Sequence, residues 1–485
     1  MRRKPLFPPV DVKTGKHLRN KGSENRSTAT ANGRVEIKRR RWHIKGVGSC
    51  SPLDVLLDAA EATVSLGLRE LCCRENADAR SFDKAADTLA RVGQVRVSGE
   101  LLRQVVEAEG QRALALTASE QLRPGWTSED CRTTTPEGRE LRRVYVGADA
   151  YMVSLITDVE KENRLRKVRE KRQKSGKKAC ALGRRKKGAD QRWKEVKAVT
   201  FYSEDMKHRQ TSVTGGNCDA LGRVMRRDAE NLEFHRAEER VGNVDGGPWI
   251  IRQLDKRLNT SAVGLDFYHL GQNAHKTRKI IFGEKSPLGE KWIGELLHGV
   301  KHEGYDRIWN DLPALGDKLW IPNHLPPIRH VIDQAIHLLP FGTAQGLSQF
   351  QQIIPYPVVA LVLDAMQECS NPFLTQRTFL SEYHFFGFMH VLPKVVKVQP
   401  HRVGVQPLIE LSDRREMIRY PEFISKGWQI GSGPMESQCR MLSDRVRGSG
   451  MRWDADNAEA VMALEAMEQS NQWPQYWKLA MLHNN

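Results

Sequence analysis

Three acidic residues stand where carboxylates could hold divalent metal ions. Asp149 interrupts the apolar stretch 143–153, Asp245 precedes a glycine pair, and Glu436 follows the turn sequence GSGP at 431–434. Carboxylate oxygens are ligands that Mg²⁺ prefers. Two such ions about 4 Å apart can clamp the attacking and leaving oxygens of phosphoryl transfer. The three acids together therefore predict a two-metal site that acts on phosphate esters.

Each acid also has a purely structural interpretation, which the sequence leaves open. Asp149 could be a surface charge at the edge of a sheet. Asp245 could cap a helix that starts at Pro248. Glu436 could be a first-turn acid favoured by the helix dipole.

Hydrophobic periodicity predicts the elements that would position these acids. The order is a strand hairpin, a helix, a strand, a helix and a strand, which defines a mixed α/β core. The predicted strands cover 143–156, 196–202, 210–213, 241–244 and 262–265, and the helices cover 220–239 and 248–258. Pro434 suits the first turn of a further helix, which puts Glu436 near its start. A last helix is predicted over 455–469.

The sequence predicts five segments. Residues 1–50 form a basic tail without regular structure until it meets an anion. Residues 51–140 form a helical domain, and 141–270 form the first part of the core, with a basic insertion at 161–194. An all-helical insertion occupies 271–405, and 406–485 complete the core.

The N-terminal helical domain suggests a helix-turn-helix. Helices are predicted near 53–68, over 81–92, and from Ser98 to Gly110, with a glycine-bearing turn before Ser98. Arg103 and Gln104 would face outward, and such side chains can read guanine and adenine edges in the major groove. Ordinary packing of a helical hairpin is the alternative.

The net charge of +17 is concentrated in two segments. Residues 1–50 carry +11 and residues 161–194 carry +13, so the remainder of the chain carries −7. Basic segments bind polyanions by releasing counterions, unless they are merely solvated surfaces. The densest run is Arg184, Arg185, Lys186 and Lys187. Arg440 and Arg447, seven residues apart, are predicted to share a face of the Glu436 helix and contact DNA phosphates.

Membrane and secreted disulfide-bonded proteins are both disfavoured. The longest apolar run, 353–363, contains two prolines, and the N-terminus lacks an apolar signal region. Eight cysteines are scattered without a CxxC pair. We interpret them as reduced thiols of a cytosolic protein.

The C-terminal motifs resemble a known family. They read RYPEF at 419–423, GWQIGSGPMES at 427–437 and RVRGSGMRW at 445–453, and the middle of the chain adds DGGPWI at 245–250 and LDFYH at 265–269. These motifs closely resemble bacterial insertion-sequence transposases of the Kra type, within the wider Mutator-like group. The resemblance runs from about Arg143 to Trp477, and weakly upstream over 80–110.

The resemblance implies a ribonuclease-H-like catalytic core with acids in the order Asp, Asp, Glu. Asp149, Asp245 and Glu436 match the three catalytic acids that hold two Mg²⁺ or Mn²⁺ ions. Asp266 is the alternative second ligand. With His269 it otherwise forms a supporting pair, unless His269 simply packs in the core.

The function implied is that of a DNA transposase that binds element ends and catalyses strand cleavage and strand transfer. Its partners would be terminal-repeat DNA, target DNA and one or more further copies of the chain. It would work in the cytoplasm, at the nucleoid. A ribonuclease-H-like nuclease without strand transfer and a non-catalytic, transposase-derived DNA-binding protein are the alternatives.

Overall fold

The structure, a computed structural model, describes residues 10, 15–46, 48–51, 63–79, 81–176, 186–311 and 412–482. The chain divides into two units. The first comprises residues 1–263 and 431–485, and the second comprises residues 264–430. Mixed α/β structure characterises the first unit, and the described elements of the second are helical.

Nine strands lie in the described residues. They are β1 Arg19–Thr30, β2 Gly33–Ile44, β3 Gly48–Cys50, β4 Arg132–Thr134, β5 Glu140–Ser154, β6 Trp193–Ser203, β7 Arg209–Thr214, β8 Glu239–Val244 and β9 Ala262–Leu265.

The described α-helices are α1 Leu66–Asp78, α2 Phe82–Arg91, α3 Gly99–Ala118, α4 Asp158–Lys174, α5 Cys218–Asn231, α6 Pro248–Arg257, α7 Phe267–Phe282, α8 Pro287–Glu303, α9 Asp306–Asp311, α10 Tyr420–Ser425, α11 Gly433–Asp444, α12 Ala455–Gln469 and α13 Trp473–Leu482. Among the described residues, no helix combines the length and apolar composition needed to cross a membrane.

A mixed sheet forms the centre of the first unit, with the strand order β7-β6-β5-β8-β9 and β4 paired to β5. The strand β5 is central, antiparallel to β6 and parallel to β8. Its residues 143–148 are all buried, which explains why the sequence shows a nearly continuous apolar run there. The predicted order of hairpin, helix, strand, helix and strand is confirmed by β5 to β9 with α5 and α6.

The helix predicted over 220–239 is shorter in the structure. The helix α5 ends at Asn231, and Glu233 adopts a left-handed backbone conformation with φ of 52°. A short 3₁₀ turn, Phe234–Arg236, then leads to β8. The chain leaves the helix early because β8 must start at Glu239 to pair with β5.

The prediction that residues 1–50 lack regular structure is wrong for the described part. The strands β1 and β2 form an antiparallel hairpin that turns between Thr30 and Gly33, and β3 pairs with the end of β2. One end is anchored because Ala29 accepts a backbone hydrogen bond from Ser65, and Trp42 is buried at the other. Most side chains between are exposed or half-buried, so the hairpin shows no hydrophobic alternation in sequence.

The predicted helix at 53–68 lies mostly outside the described residues. Within them, α1 begins at Leu66, and the Ser65 hydroxyl caps it by accepting a hydrogen bond from the Leu68 amide. The next two helices begin where the sequence predicts, since Ser81 caps α2 and Ser98 caps α3.

Gly110 does not end α3, which continues to Ala118. The reason for glycine is close packing: a Cβ at Gly110 would lie 2.3 Å from the carbonyl oxygen of Ala460 on α12. The buried face of α3 belongs to the same hydrophobic core as α12 and the sheet. Residues 51–140 are therefore not a separate domain where the structure describes them.

We expect Gly110→Ala to lower the free energy of unfolding by about 1–3 kcal/mol, because the added methyl group overpacks a backbone contact. Gly67 on α1 is the matched control, since nothing lies within 4 Å of a Cβ there. Gly67→Ala should raise stability by up to about 1 kcal/mol through helix propensity. Chemical denaturation of both variants checks this, and equal effects would contradict the close packing of α3 on α12.

The second unit contains α7, α8, α9 and α10, and its described residues end at 311 and resume at 412. The helices α7 and α8 pack together, with Phe282 against Trp292. The Tyr420 hydroxyl donates a hydrogen bond to the carbonyl of Leu265. The described helices agree with the predicted all-helical insertion, but residues 312–405 of that prediction lie outside the described part.

Candidate active site

Asp149 lies in β5, and Asp245 directly follows the neighbouring parallel strand β8. The two acids occupy matching positions along the strand direction. The paired register of β5 and β8 ends with Val146 opposite Gly242, and each acid stands three residues beyond its member of that pair. Adjacent strands are about 4.8 Å apart, and residues with equal offsets point to the same face. Both side chains are half-buried. The two carboxylates are thus carried together on the rigid centre of the sheet.

A tight turn fixes Asp245 at the end of β8. Gly246 has a φ of 82°, a conformation that favours glycine, and the Gly247 amide donates a 2.8 Å hydrogen bond to Asp245 Oδ1. Gly247 is itself the N-cap of α6, and Pro248 occupies the first turn. The alternative that Asp245 is the helix cap is therefore wrong. Its carboxylate shapes the turn instead.

Glu436 lies in the first turn of α11, as predicted, and its side chain is exposed. The Ser432 hydroxyl donates a 3.3 Å hydrogen bond to Glu436 Oε1. The helix approaches β5 closely at Gly147, where an added Cβ would lie 2.8 Å from the Cβ of Met435. Glycine at 147 is thus needed for the approach of α11 to the strand that carries Asp149.

Burial, together with the charges of the three acids, raises the pKa of one thiol, that of Cys439. Burial raises the pKa of Cys439, and its hydrogen bond with Asp149 and the charges of Asp149, Glu436 and Asp245 raise this pKa further. A single side chain on α11 is therefore within electrostatic reach of all three carboxylates. In the sequence, Cys439 is only one of eight scattered cysteines. Its spacing of three from Glu436 is the signal that places both on one side of a helix.

The donor set fits a hard divalent cation. All three side chains offer carboxylate oxygens, and Mg²⁺ and Mn²⁺ prefer such ligands. In the described part of the chain, Asp245 Oδ2 and Glu436 Oε2 receive no hydrogen bond. These oxygens can therefore serve as ligands without breaking a contact.

Asp266 and His269 lie in the second unit, at the start of α7. Asp266 is fully buried and caps this helix by accepting hydrogen bonds from the amides of Tyr268 and His269, each at 3.2 Å. His269 Nδ1 lies 3.9 Å from Asp266 Oδ2, too far for a hydrogen bond. Helix capping accounts for the Asp266 carboxylate, while its role as an alternative ligand or a supporting residue stays a prediction.

The predicted arginine face of the Glu436 helix is only half correct. Arg440 is exposed on α11, 3.9 Å from Asp444. The helix ends at Asp444, so Arg447 lies beyond it, before the helix-breaking sequence Gly448-Ser449-Gly450. Burial raises the pKa of the Tyr151 phenol and the Arg447 charge lowers it, so Arg447 still lies near the strand of Asp149.

Arg103 and Gln104, the predicted base-reading residues, are already engaged on α3. The Arg103 guanidinium forms ion pairs of 2.6 Å with both Glu100 and Glu107. Gln104 donates a hydrogen bond to Glu100 Oε1 at 2.9 Å. Reading a base would require these side chains to leave their partners.

Of the predicted basic run, Arg184 and Arg185 lie outside the described residues. Lys186 and Lys187 are exposed, and their carbonyls accept hydrogen bonds from Lys161 Nζ of α4. The helix α4 has no buried side chain, and eight of its 17 residues are Lys or Arg. Much of the basic insertion, for which the sequence predicts a long loop or a frayed helix, is thus a solvent-facing basic helix.

Residues 15–220, less than half of the chain, match the model of an uncharacterised protein family (UPF0236). The matched region contains Asp149 but neither Asp245 nor Glu436. No curated protein matches the chain significantly.

Proposed function

We propose that the protein is a DNA transposase of an insertion sequence. The observation that carries the proposal is geometric: Asp149 and Asp245 occupy matching positions on neighbouring strands, and α11, which carries Glu436, approaches β5 closely at Gly147. The resemblance of the C-terminal motifs agrees with it. We also propose that the sheet and the helices α5 and α6 form a ribonuclease-H-like core. The central hairpin of β5 and β6, followed by the parallel strand β8, supports this.

The proposed chemistry is metal-dependent transfer of a phosphodiester. The three carboxylates would hold two Mg²⁺ or Mn²⁺ ions, which when bound activate the attacking oxygen and stabilise the leaving one. In cleavage, a water oxygen bonds to phosphorus, and the 3′-oxygen departs as a hydroxyl. In strand transfer, that hydroxyl bonds to a phosphorus of the target strand and displaces its 3′-oxygen. The sheet contributes by fixing Asp149 and Asp245, which limits their movement between the two steps.

The basic elements would hold the DNA. The β1–β2 hairpin carries eight Lys or Arg against two acids, and a two-stranded ribbon fits the major groove. Arg34, Lys38 and Arg40 alternate along β2 and so share one face, with Asn25 opposite Lys38. We infer that this face, rather than Arg103 and Gln104, contacts the element ends. Because transposition joins two ends, the proposal includes a dimer or larger assembly, working in the cytoplasm at the nucleoid.

A gel assay separates this function from its two alternatives. Labelled element ends and a target plasmid are incubated with the full chain and Mg²⁺ or Mn²⁺. The proposal expects ends joined to the target. Cleaved but unjoined ends would indicate a nuclease, and bound but intact ends a DNA-binding protein. Glu230→Gln serves as control, since this exposed acid on α5 has Arg226 as its one ion-pair partner among the residues that the structure describes.

The basic run should set the salt dependence of DNA binding. Neutralising Arg184, Arg185, Lys186 and Lys187 is expected to weaken binding to all sequences alike. The slope of log affinity against log salt should flatten by about 0.9 for each DNA phosphate that the variant no longer neutralises. Filter binding at several salt concentrations measures it. An unchanged slope would show that the run is solvated and does not touch DNA.

A further inference from the structure

A cavity of about 400 Å³ lies in the first unit, apart from the three acids. It is bordered by the start of α2, by α3 and α4, and by the segment 445–457. Its lining is both basic and aromatic, and includes Arg103, Arg164, Arg445, Arg452, Phe82 and Trp453. Binding sites for small molecules commonly have volumes of about 300–1,000 Å³.

Most charges around the cavity are matched by a neighbour. Arg103 pairs with Glu107, Arg452 pairs with Glu160, and Lys161 pairs with Asp454 at 2.6 Å. Two guanidinium groups differ from these. Neither Arg164 nor Arg445 has a carboxylate within 4.0 Å among the residues that the structure describes.

Arg445 is the more unusual of the two, because it is only 4% exposed. Its guanidinium is held by neutral groups. Nη2 donates a 2.7 Å hydrogen bond to Asn76 Oδ1, and the Cζ atom lies 4.5 Å from the centre of the Phe82 ring and 5.4 Å from that of Trp453. Burial lowers the pKa of Arg445 to about 10. A buried charge without a counter-charge is costly, so the arrangement leaves a position for an anion.

The geometry leaves part of this guanidinium available to a ligand. Nε and Nη2 are occupied by Asn76, whereas the described contact of Nη1 is with the Met451 sulfur at 3.8 Å. Met451 also lines the cavity. Arg164 is exposed on α4 at the same cavity and can reach a ligand from the solvent side.

We propose that this cavity binds a phosphomonoester, carried by the end of a nucleic-acid strand or by a free nucleotide. A phosphomonoester carries a charge of about −1.5 to −2 at neutral pH, which matches two uncompensated guanidinium groups. Guanidinium groups form short, paired hydrogen bonds with phosphate oxygens. The rings of Phe82 and Trp453 supply an apolar wall beside the charge. The proposal does not rest on the transposase activity or on its metal site.

Calorimetric titration of the full chain in EDTA tests the proposal without any metal-dependent chemistry. The probes are dAMP and a short single-stranded oligonucleotide with or without a 5′-phosphate. The proposal expects at least one phosphomonoester to bind in the cavity. Any affinity that the basic segments give an oligonucleotide is common to both forms, so the unphosphorylated oligonucleotide measures this background. Preference for the phosphorylated oligonucleotide identifies a strand end, and preference for dAMP identifies a free nucleotide.

Two substitutions locate the binding in this cavity. Arg164→Gln should weaken it at least about tenfold, as expected when a hydrogen bond to a charged group is removed. Arg164 is exposed, so this variant should fold. Arg169→Gln removes the same charge from the same helix without touching the cavity, and should leave the affinity unchanged. Arg445→Gln should abolish binding, provided that the variant folds. The proposal is overturned if dAMP fails to bind and the 5′-phosphate adds no affinity to the oligonucleotide, or if the Arg164→Gln variant and the unmodified chain bind with equal affinity.

Discussion

Replacing Asp149, Asp245 or Glu436 by its amide is expected to lower strand cleavage by more than about 100-fold, since even partners that only orient metal ligands commonly cost 10–100-fold when removed. The amide keeps the shape of the side chain but is a poor ligand for Mg²⁺. Binding of element ends should remain nearly unchanged, because it depends on the basic elements. Cleavage rates and end binding are measured on the same variant proteins.

The companion variant is Asp266→Asn, which tests the assignment of the second ligand. Asp266 caps α7, and asparagine caps helices about as well as aspartate, so the variant should fold and its cleavage should persist. Full cleavage in the Asp245→Asn variant, combined with its loss in a folded Asp266→Asn variant, would show that the second acid was wrongly assigned.

Gly147→Ala should damage the site without changing any acid. The added Cβ would lie 2.8 Å from that of Met435, so α11 must move away from β5. Overpacking of this kind costs about 1–3 kcal/mol of stability. A displacement of about 1 Å can slow a reaction by about 100-fold, so cleavage should fall far more than DNA binding.

Gly433→Ala, on α11, is the control, because a Cβ there meets nothing within 4 Å. It should leave both cleavage and stability close to those of the unmodified chain. If Gly147→Ala cleaves DNA at the normal rate, the close approach of α11 to β5 is not required for activity.

The sequence predicted the elements around the acids better than the contacts between them. The helix predicted over 455–469 spans Ala455–Gln469, although α13 follows it and it is therefore not the last helix. The strands β5 to β9 follow the predicted order. These elements bury one face or two, so their hydrophobic periodicity is strong. The register between β5 and β8 could not be predicted from hydrophobic periodicity. It depends on pairing between strands, and it is what brings Asp149 level with Asp245.

Other features were missed because their sequence signals are ambiguous. Glycine at 110 suggests the end of a helix, but it serves the contact with Ala460. The β1–β2 hairpin exposes much of both faces, so its polar sequence resembles a disordered tail. Arg103 has the outward position expected of a DNA-reading residue, yet its acidic neighbours one turn away hold it on α3.

A metal-rescue experiment tests the central claim, that these acids hold the metal ions, most directly. Asp149→Cys, Asp245→Cys and Glu436→Cys each replace a carboxylate by a softer sulfur ligand, which Mn²⁺ accepts more readily than Mg²⁺. Cleavage of element ends is measured for each variant with either metal. We predict that at least one variant is inactive in Mg²⁺ and recovers cleavage in Mn²⁺, whereas Glu230→Cys behaves like the unmodified chain in both. Undiminished cleavage in Mg²⁺ by all three variants would contradict the assignment.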